Sequence, residues 1–386
     1  MRGDLRSHFG MAQMLRSLLP LVEQLFDEIH GVDLHHHPKF DTHSFSYPIT
    51  TDKDIQARIL KQNDTHWTVL HHTTPDQFHR FQNATNLGYF LWETDRAPKD
   101  TSWRQDFRQL DALWVAAPYL GELARRLGWQ KPILTVPWPM SPLKEKADTR
   151  LPEKGLHRVL NGKIERTTLD KLKKDYEGYD LSIASDAPRK GISILISEWV
   201  RYQRISQRKY ALILKLSTFN TSKTEKDLLE ECLRTTYLAC APHNPADIGL
   251  HILARPLSDQ EISNLYASVR ALLSTTIGEG FGGPVAEAAM HGKPIVAPRH
   301  SSLEQIIPEG YPLALEHDNV TLAQGIKAPY SISSTWGLIR PDTLRNILLR
   351  LDDLGAEEIT KLGKQIHEHV TTVCSPKVIL SDISLF

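Results

Sequence analysis

The most informative stretch of the sequence is a glycine-rich loop between an apolar run and a helix-forming segment. Residues 271–298 read ALLSTTIGEGFGGPVAEAAMHGKPIVAP, in the order strand, loop, helix, turn and strand. The loop glycines expose backbone N–H groups and let a ligand approach closely, and Pro284 is well suited to open the helix. Because a helix N-terminus favours an anion, the stretch predicts a phosphate site. The loop glycines are Gly278, Gly280, Gly282 and Gly283.

Two carboxylates flank this loop, Glu279 within it and Glu287 in the first helical turn. A carboxylate near a phosphate is unfavourable unless it accepts hydrogen bonds from hydroxyl groups. The pair therefore indicates a ligand with sugar hydroxyls on both sides of its phosphates, as in a nucleotide sugar. Three of the glycines also fit the spacing GxGxxG, so a dinucleotide-binding loop is an alternative, although that loop normally lies in the first βα unit of its domain.

A diphosphate leaving group needs fixed cations, because negative charge develops on it as the glycosidic bond breaks. Arg189 and Lys190 stand in the sequence SDAPRKG, between a predicted strand and a predicted helix. Lys215 ends another strand-like run, where a solvated lysine would be out of place. For Arg189 and Lys190 an ordinary surface position is the alternative.

Alternating strands and helices in both halves of the chain would position these residues. The expected strands are 68–71, 89–92, 113–116, 133–137, 181–184, 210–216, 251–254, 271–276 and 294–297. Such alternation indicates parallel βα units, whose ligands bind at the carboxyl ends of the strands. The predicted fold class is α/β, with two Rossmann-like domains that face each other across a cleft. A first helix is expected over 11–29.

Composition limits the class of protein. The chain has 386 residues with 46 basic and 46 acidic side chains, so it lacks the positive charge of a dedicated nucleic-acid binder. No apolar run reaches the ~20 residues that span a bilayer, and the N-terminus is charged where a signal peptide is apolar. Three cysteines without a CxxC are typical of a reducing compartment. We therefore expect a cytoplasmic enzyme with no transmembrane segment, which could contact the membrane peripherally through its amphipathic first helix.

The run EGFGGPVAE, from Glu279 to Glu287, followed by AAMHGKPI, resembles the EX7E segment of retaining glycosyltransferases of the GT-B fold. It is most similar to that of glycosyltransferase family 4. The resemblance covers the second half of the chain well and the first half less sharply. It implies an acceptor domain at 1–150, a nucleotide-sugar domain at 179–365, and a C-terminal helix at 366–386 that returns to the first domain. Basic and acidic residues are mixed in the polar stretch from Ser141 to about Tyr179, which makes 151–178 the expected connection between the domains.

The resemblance also implies roles for single residues. Glu279 would contact hydroxyls of the transferred sugar, and Glu287 would contact the ribose of the nucleotide. A basic residue is usual in the PRKG-like position, which makes Lys190 and Lys215 the expected catalytic cations beside Glu279. Ala184 stands where the family often has an arginine, and Lys215 is expected to supply that charge. The further expected donor contacts are Gly10, Arg189, Gly280, Phe281, Gly282 and Gly283.

The first half carries the expected acceptor side. Residues 88–103, GYFLWETDRAPKDTSW, resemble a Tyr, Trp-Glu, Pro, Trp stretch of many family 4 enzymes. Glu93 and Asp95 follow the strand there and are expected to face the cleft, with capping or a salt bridge as the alternative. His71 and His72 end another strand, in a region where the resemblance places a histidine near the reacting sugar. A buried structural histidine is the alternative.

Two patterns that could suggest a metal site are interpreted otherwise. The run His35–His37 cannot direct three adjacent imidazoles at one ion from a regular element. Asp52-Lys-Asp54 matches the DXD pattern of metal-dependent GT-A enzymes, but Thr51 and Asp52 are good caps for a helix at 55–61. We therefore expect no metal and no cofactor.

The expected function is transfer of a hexosyl group, with retention of configuration, from a UDP- or GDP-linked sugar to a hydroxyl of a glycan, lipid-linked or protein acceptor. Surface polysaccharide or glycoconjugate synthesis is the expected setting. The resemblance implies a front-face mechanism in which the departing phosphate helps to deprotonate the acceptor. Two alternatives stay open: a nucleotide-sugar epimerase on the same fold, which needs no acceptor, and a non-catalytic nucleotide- or dinucleotide-binding protein.

Overall fold

Each half of the chain forms a β-sheet of its own. The computed structural model describes residues 1–7, 10–34, 45–62, 64–99, 101–140, 154–218, 220, 222–241, 247–321 and 329–386. The strands of the first half are β1 (Arg2–Gly3), β2 (Gly31–Asp33), β3 (Ile49–Thr50), β4 (Thr68–His72), β5 (Thr85–Phe90), β6 (Ala112–Val115) and β7 (Ile133–Thr135). Its helices are α1 (Gly10–Val22), α2 (Asp52–Lys61), α3 (Trp103–Asp106) and α4 (Pro118–Arg126).

The strands of the first sheet are parallel and lie in the order β3-β2-β1-β4-β5-β6-β7. The winding reverses between β1 and β4, so the loops after these two strands flank the crevice where such sheets bind ligands. The first helix is shorter than expected and ends at Val22. Thr51 caps α2 by accepting a hydrogen bond from the Asp54 N–H, which confirms the capping interpretation of this segment.

The second half contributes two further sets of strands and most of the helices. Its strands are β8 (Leu156–Leu160), β9 (Lys163–Arg166), β10 (Gly178–Ser185), β11 (Tyr210–Ser217), β12 (Leu250–Leu253), β13 (Leu272–Leu273), β14 (Ile295–Pro298), β15 (Ala314–Leu315), β16 (His317–Thr321) and β17 (Thr335–Ile339). Its helices are α5 (Leu169–Asp175), α6 (Ile192–Gln203), α7 (Glu225–Cys240), α8 (Asp259–Ser268), α9 (Gly283–Met290), α10 (Leu303–Ile306), α11 (Thr343–Asp353), α12 (Ala356–Val373) and α13 (Pro376–Leu385).

The second sheet has the order β15-β14-β13-β10-β11-β12-β8-β9. It is parallel from β15 to β12, and its winding reverses between β10 and β13. The loops after these two strands carry the predicted cations and the glycine-rich stretch. The strands β16 and β17 form a separate antiparallel hairpin.

Residues 151–178 were expected to connect the two domains, but part of this segment belongs to the second sheet. Its residues from Leu156 onward form β8, β9 and α5, and β8 pairs antiparallel with β12 in the second sheet. One charge of this stretch has a structural role, because the buried Arg158 forms ion pairs with Asp175 (2.9 Å) and Asp247. Residues 151–153 of the expected connection lie outside the described residues.

The end of the chain contacts the first half. The Met140 N–H, at the end of that half, donates a hydrogen bond to the Cys374 carbonyl at the C-terminal end of α12 (2.9 Å). In the described part of the chain, no helix is both long enough and apolar enough to cross a bilayer.

A buried ion-pair network fixes the start of the second sheet. The guanidinium of Arg270, just before β13, donates to both oxygens of Asp180 at 3.0 and 2.6 Å and to Asp352 of α11 at 2.7 Å. Tyr202 of α6 donates to the same Asp352 carboxylate at 2.8 Å. Burial opposes the charge on Arg270, but the carboxylates raise its pKa above the ordinary value. The network therefore stays ionised and joins three elements.

Replacing Arg270 by Met should destabilise the protein strongly, because it leaves the fully buried Asp180 carboxylate without its partner. We expect the free energy of unfolding to fall by about 3–5 kcal/mol, measured by urea denaturation followed by circular dichroism. The control is Arg340→Met, which removes an exposed pair with Glu316 and Asp318 and should cost far less, because solvent screens exposed charges. Equal losses in the two variants would contradict the role of the buried network.

Candidate functional site

The candidate site lies where the second sheet reverses its winding. The loop after β10 carries Arg189 and Lys190, and the loop after β13 carries Glu279. The loops are joined by hydrogen bonds from Ile277 N to Arg189 O (2.8 Å) and from Thr275 Oγ1 to Gly191 O (2.9 Å). Two neighbouring strand ends thus present their charged side chains at one point.

Gly191 allows this close approach. Its φ is +64°, and a Cβ there would lie 2.2 Å from the Thr275 carbonyl oxygen. A side chain at this position is excluded both by backbone conformation and by space. The glycine after Lys190 therefore serves the contact between the two loops.

The carboxylate of Glu279 is the centre of the site. It forms an ion pair with the Lys190 ammonium and lies 3.3 Å from Arg189 Nη1. Burial opposes its ionisation, but Lys190 and then Arg189 hold the pKa of Glu279 below its ordinary value. Burial lowers the pKa of Lys190, which Glu279 partly offsets. The two groups stabilise each other's charged forms, and a buried cation of this kind requires an anionic partner.

Arg189 connects this centre to the first half. Its Nη2 lies 2.9 Å from Glu93 Oε1, in the loop after β5, and its Nη1 donates to the Gly278 carbonyl at 3.0 Å. The Tyr330 hydroxyl, which precedes β17, donates to Glu93 Oε2 at 3.1 Å. One guanidinium therefore lies between carboxylates of the two halves.

The glycine-rich loop is covered directly by the first half. A Cβ on Gly278 would lie 2.6 Å from the Glu93 carbonyl oxygen, and one on Gly283 would lie 2.6 Å from the Trp138 ring. The Phe281 ring is buried and packs against Trp138, with the ring centroids 5.8 Å apart. These glycines are needed for close packing between the halves, whatever they contact in a ligand complex.

Two further contacts complete the cover. The Tyr119 hydroxyl in α4 donates to the Glu279 carbonyl at 2.9 Å. A Cβ on Gly280 would lie 3.2 Å from Leu91 Cβ, which is tighter than an ordinary contact. Gly282 has a φ of +92° and precedes α9 as its N-cap, so a glycine is favoured there. These contacts fix the backbone of the glycine-rich loop, and α9 begins directly after it.

Glu287 lies one turn into α9. It accepts a hydrogen bond from the buried Tyr266 hydroxyl at 2.7 Å. Burial raises the pKa of Glu287 to about 7; the Tyr266 bond opposes this rise and the charge of Asp259 adds to it. The carboxyl group is therefore about half ionised near neutral pH.

Lys215 lies near the end of β11, next to β10. Its ammonium donates to the Leu216 carbonyl at 2.9 Å and is buried. Burial, followed by the charge of Arg255, lowers the pKa of Lys215 to about 8. The structure records no contact of Lys215 with Glu279 or Lys190, so Lys215 belongs to the same sheet edge without joining the ion-pair cluster.

The two histidines end β4 inside the first half. His71 and His72 are at most 1% exposed, and burial lowers the pKa of His71 to about 3 and that of His72 to about 4. The His72 ring packs against Tyr89 with centroids 5.0 Å apart, and neither of its ring nitrogens has a hydrogen-bond partner among the described residues. Neither imidazole is exposed to the cleft, because the last four residues of β4 are buried. This fits the alternative of structural histidines.

Asp95 binds the β16–β17 hairpin of the second half. It accepts hydrogen bonds from the Thr335 backbone N–H at 2.7 Å and from its hydroxyl at 3.2 Å. It also lies 3.6 Å from Arg96 and from Arg126, so its position matches the salt-bridge alternative. Gly10 begins α1, while the preceding Phe9 and the run His35–His37 lie outside the described residues.

Sequence reasoning missed Tyr119, Tyr330 and Thr335. Tyr330 contacts a residue 237 positions away, and its neighbourhood has no helical or strand periodicity that would mark it. Three His, Cys, Asp or Glu side chains placed to hold a metal ion do not occur within the described residues.

This architecture occurs in known structures. A glycosyltransferase from Rickettsia africae matches 98% of this chain and 95% of its own, with a TM-score of 0.62 and 13% identity. Sucrose-phosphate synthase from Thermosynechococcus elongatus matches 99% of this chain and 93% of its own, with a TM-score of 0.59 and 13% identity. A lipopolysaccharide outer core galactosyltransferase matches 99% of this chain and 97% of its own, with a TM-score of 0.58 and 11% identity. The chain has the GT-B fold.

Similarity in sequence is more limited. No family model matches the chain. The O-antigen chain mannosyltransferase B of Escherichia coli is 26% identical over 139 residues, which are 36% of this chain and 33% of that protein. The match therefore spans about a third of the length of that relative. The GT-B fold is therefore shown by the structural matches and not by this partial similarity in sequence.

Replacing Glu287 by Gln should change how stability depends on pH. Because the pKa of Glu287 is raised to about 7, the folded protein holds a proton that the unfolded chain releases above about pH 4.5. Stability from this group is complete below that pH and is lost as the pH rises to about 7. Relative to Glu287→Gln, the parent protein should lose about 2–3 kcal/mol between about pH 5 and about pH 8.

The measurement is chemical denaturation of both proteins at several pH values across this range. The amide oxygen of Gln can still accept the Tyr266 hydrogen bond, so the variant removes the titration and keeps the contact. Parallel pH curves for the two proteins would contradict the raised pKa.

Proposed function

We propose that this protein is a retaining glycosyltransferase that moves a hexosyl group from a nucleotide diphosphate sugar to an acceptor hydroxyl. The observation that carries the proposal is the convergence of Lys190 and Arg189 on Glu279 at the winding reversal of the second sheet, beside the N-terminus of α9. Cations and a helix N-terminus suit a diphosphate, and a carboxylate among them suits sugar hydroxyls. The GT-B fold supports this interpretation, since it is the fold of a galactosyltransferase and of another glycosyltransferase.

On the donor side, the diphosphate would replace the carboxylates of Glu93 and Glu279 as the partner of Arg189 and Lys190. Glu279 would then accept hydrogen bonds from hydroxyls of the transferred sugar, and Glu287 would accept them from the ribose. The backbone of Gly280, Gly282 and Gly283 would line the phosphates, with Gly10 opposite. The donor is a UDP- or GDP-linked sugar in this proposal, and no further cofactor takes part.

In the proposed front-face reaction, the bond between the anomeric carbon and the phosphate oxygen breaks. A bond to the acceptor oxygen forms on the same face, and the acceptor proton passes to the departing phosphate. The charge that develops on this phosphate is stabilised by Lys190, Lys215 and the N-terminus of α9, with Arg189 beside them. Fixed side-chain cations supply the positive charge in this scheme, so it is metal-independent.

The acceptor side would begin at Glu93, which already faces the donor cations across the cleft. The acceptor is a glycan, lipid-linked or protein hydroxyl, in surface polysaccharide or glycoconjugate synthesis. The partial match to an O-antigen mannosyltransferase supports this setting. The three buried free cysteines suit the reducing cytoplasm, and peripheral membrane contact belongs to the same proposal.

Replacing Lys190 by Met should weaken nucleoside diphosphate binding by about 10- to 100-fold, because it removes a buried charge-assisted hydrogen bond. Thermal shifts with UDP, GDP, ADP and their common sugars identify the base, and calorimetry gives the affinity. Lys174→Met, on the exposed face of α5, is the matched control and should bind as the parent does. A melting temperature that rises with NAD alone would contradict the donor proposal and favour the dinucleotide alternative.

Replacing Glu279 by Gln should separate binding from catalysis. Nucleoside diphosphate should bind at least as tightly, because Lys190 loses a competing carboxylate, while turnover should fall about 100-fold or more. Turnover is measured as nucleoside diphosphate released from the nucleotide sugar, with water or an acceptor sugar. Unchanged turnover would contradict the role of Glu279, and an isomerised nucleotide sugar without such release would identify an epimerase.

A further inference from the structure

The loop that follows β14 holds the backbone of Glu279. Strands β13 and β14 are parallel neighbours, so the loops after them leave the same edge of the second sheet side by side. The Glu279 N–H donates to Ser301 Oγ at 2.9 Å, and Ser302 Oγ donates to the Glu279 carbonyl at 2.9 Å. Two consecutive hydroxyl groups therefore bind both backbone polar groups of the residue at the centre of the site.

These two hydrogen bonds are shielded from water, because Ser301, Ser302 and Glu279 are all buried. A buried N–H group that loses its acceptor is costly, since no water replaces the lost bond. The Glu279 N–H would be left in this way if the Ser301 hydroxyl were removed. The Glu279 carbonyl also accepts a hydrogen bond from Tyr119 at 2.9 Å, so it keeps a donor when Ser302 is changed.

Ser301 has a backbone conformation that serine rarely adopts. Its φ is +53°, in the left-handed region that is unfavourable for a residue with a side chain and accessible to glycine. A glycine would form the same turn more easily, but it would lack the hydroxyl that accepts from Glu279 and donates to the His300 carbonyl at 2.7 Å. Strained residues of this kind are concentrated at functional sites.

The residues after the two serines extend the contact. A Cβ on Gly282 would lie 2.3 Å from Leu303 Cδ2, so the first residue of α10 packs directly on the glycine-rich loop. Gln305 Nε2 donates to the Ala116 carbonyl, just after β6, at 2.6 Å. The segment 301–305 thus contacts the glycine-rich loop on one side and the first half on the other.

We propose that Ser301 and Ser302 are positioning residues, which hold the Glu279 backbone so that its carboxylate meets hydroxyls of the transferred sugar. The inference rests on the proposed function and adds two residues to its donor site. The serines act through Glu279 and not on the sugar itself. Their effect on rate follows from geometry, because a displacement of about 1 Å in a site of this kind can slow a reaction about 100-fold.

Replacing Ser301 by Gly removes the hydroxyl and suits the left-handed backbone. Turnover of the nucleotide sugar that the parent accepts from the UDP-, GDP- and ADP-linked panel should fall about tenfold or more. The free nucleoside diphosphate should bind within about twofold of the parent by calorimetry, because Arg189 and Lys190 are unchanged. Ser302→Ala should lower turnover less, because the Glu279 carbonyl keeps its bond from Tyr119.

The matched control is Asn161→Gly, in the exposed turn between β8 and β9. Asn161 also has a left-handed backbone, with a φ of +48°, and β8 and β9 end the second sheet at the edge opposite β14. Turnover should equal that of the parent. The melting temperature of Ser301→Gly should stay within about 3 °C of the parent, because relief of the backbone offsets the lost hydrogen bond. Parent-like turnover of Ser301→Gly would overturn the proposal.

Donors that lack a single hydroxyl show whether Ser301 acts through Glu279. Removing the hydroxyl that Glu279 contacts should slow the parent strongly and Ser301→Gly much less, because the variant has already lost part of that interaction. Equal losses in the two proteins for every singly deoxygenated donor would make the role of Ser301 merely structural and would also overturn the proposal.

The same measurements separate this inference from the proposed function. A parent protein that turns over no nucleotide sugar refutes the proposed function, and the positioning role is refuted with it. An active parent together with a fully active Ser301→Gly variant leaves the proposed function standing and refutes the positioning role alone.

Discussion

The structure depends on keeping two largely buried cations, Arg189 and Lys190, next to anions. Removing a cation from water is costly, and the cost is offset only by close opposite charge. Glu279 supplies this charge from within the second half, and Glu93 supplies it from the first half. The contact between the halves is therefore electrostatic at its centre and is surrounded by close packing of glycine backbone against Trp138 and the chain near Glu93.

The same packing bears on the meaning of the glycine spacing. A dinucleotide loop uses its glycines to approach a pyrophosphate and to pack a helix on a strand. Here Gly278 and Gly283 are already in contact with protein from the other half, where a Cβ would meet Glu93 and Trp138. The spacing GxGxxG is thus explained by contacts between the domains of a GT-B fold, which weakens the dinucleotide alternative.

Much of this arrangement could be predicted from the sequence, because parallel strands bring their carboxyl ends to one edge. Lys190 and Glu279 follow such strands, and a local pattern was enough to place them together. The contact between Tyr330 and Glu93 was not predictable, because the two residues lie 237 positions apart and Tyr330 stands in no periodic pattern. The charged stretch from residue 156 was interpreted as a connection because charged residues are common in exposed segments. Its strand β8 nevertheless joins the second sheet, where the buried Arg158 pairs with Asp175 and Asp247.

The hydrogen bond between Met140 and Cys374 has a mechanical consequence. Residue 140 ends the described part of the first half, and residue 374 lies where the chain returns from the second. The halves are therefore joined here by a hydrogen bond as well as by the chain that links them, and a displacement of one half relative to the other would have to carry these two residues together or break the bond. The Glu93–Arg189 ion pair joins the same two halves at another place, so the two contacts together resist their separation.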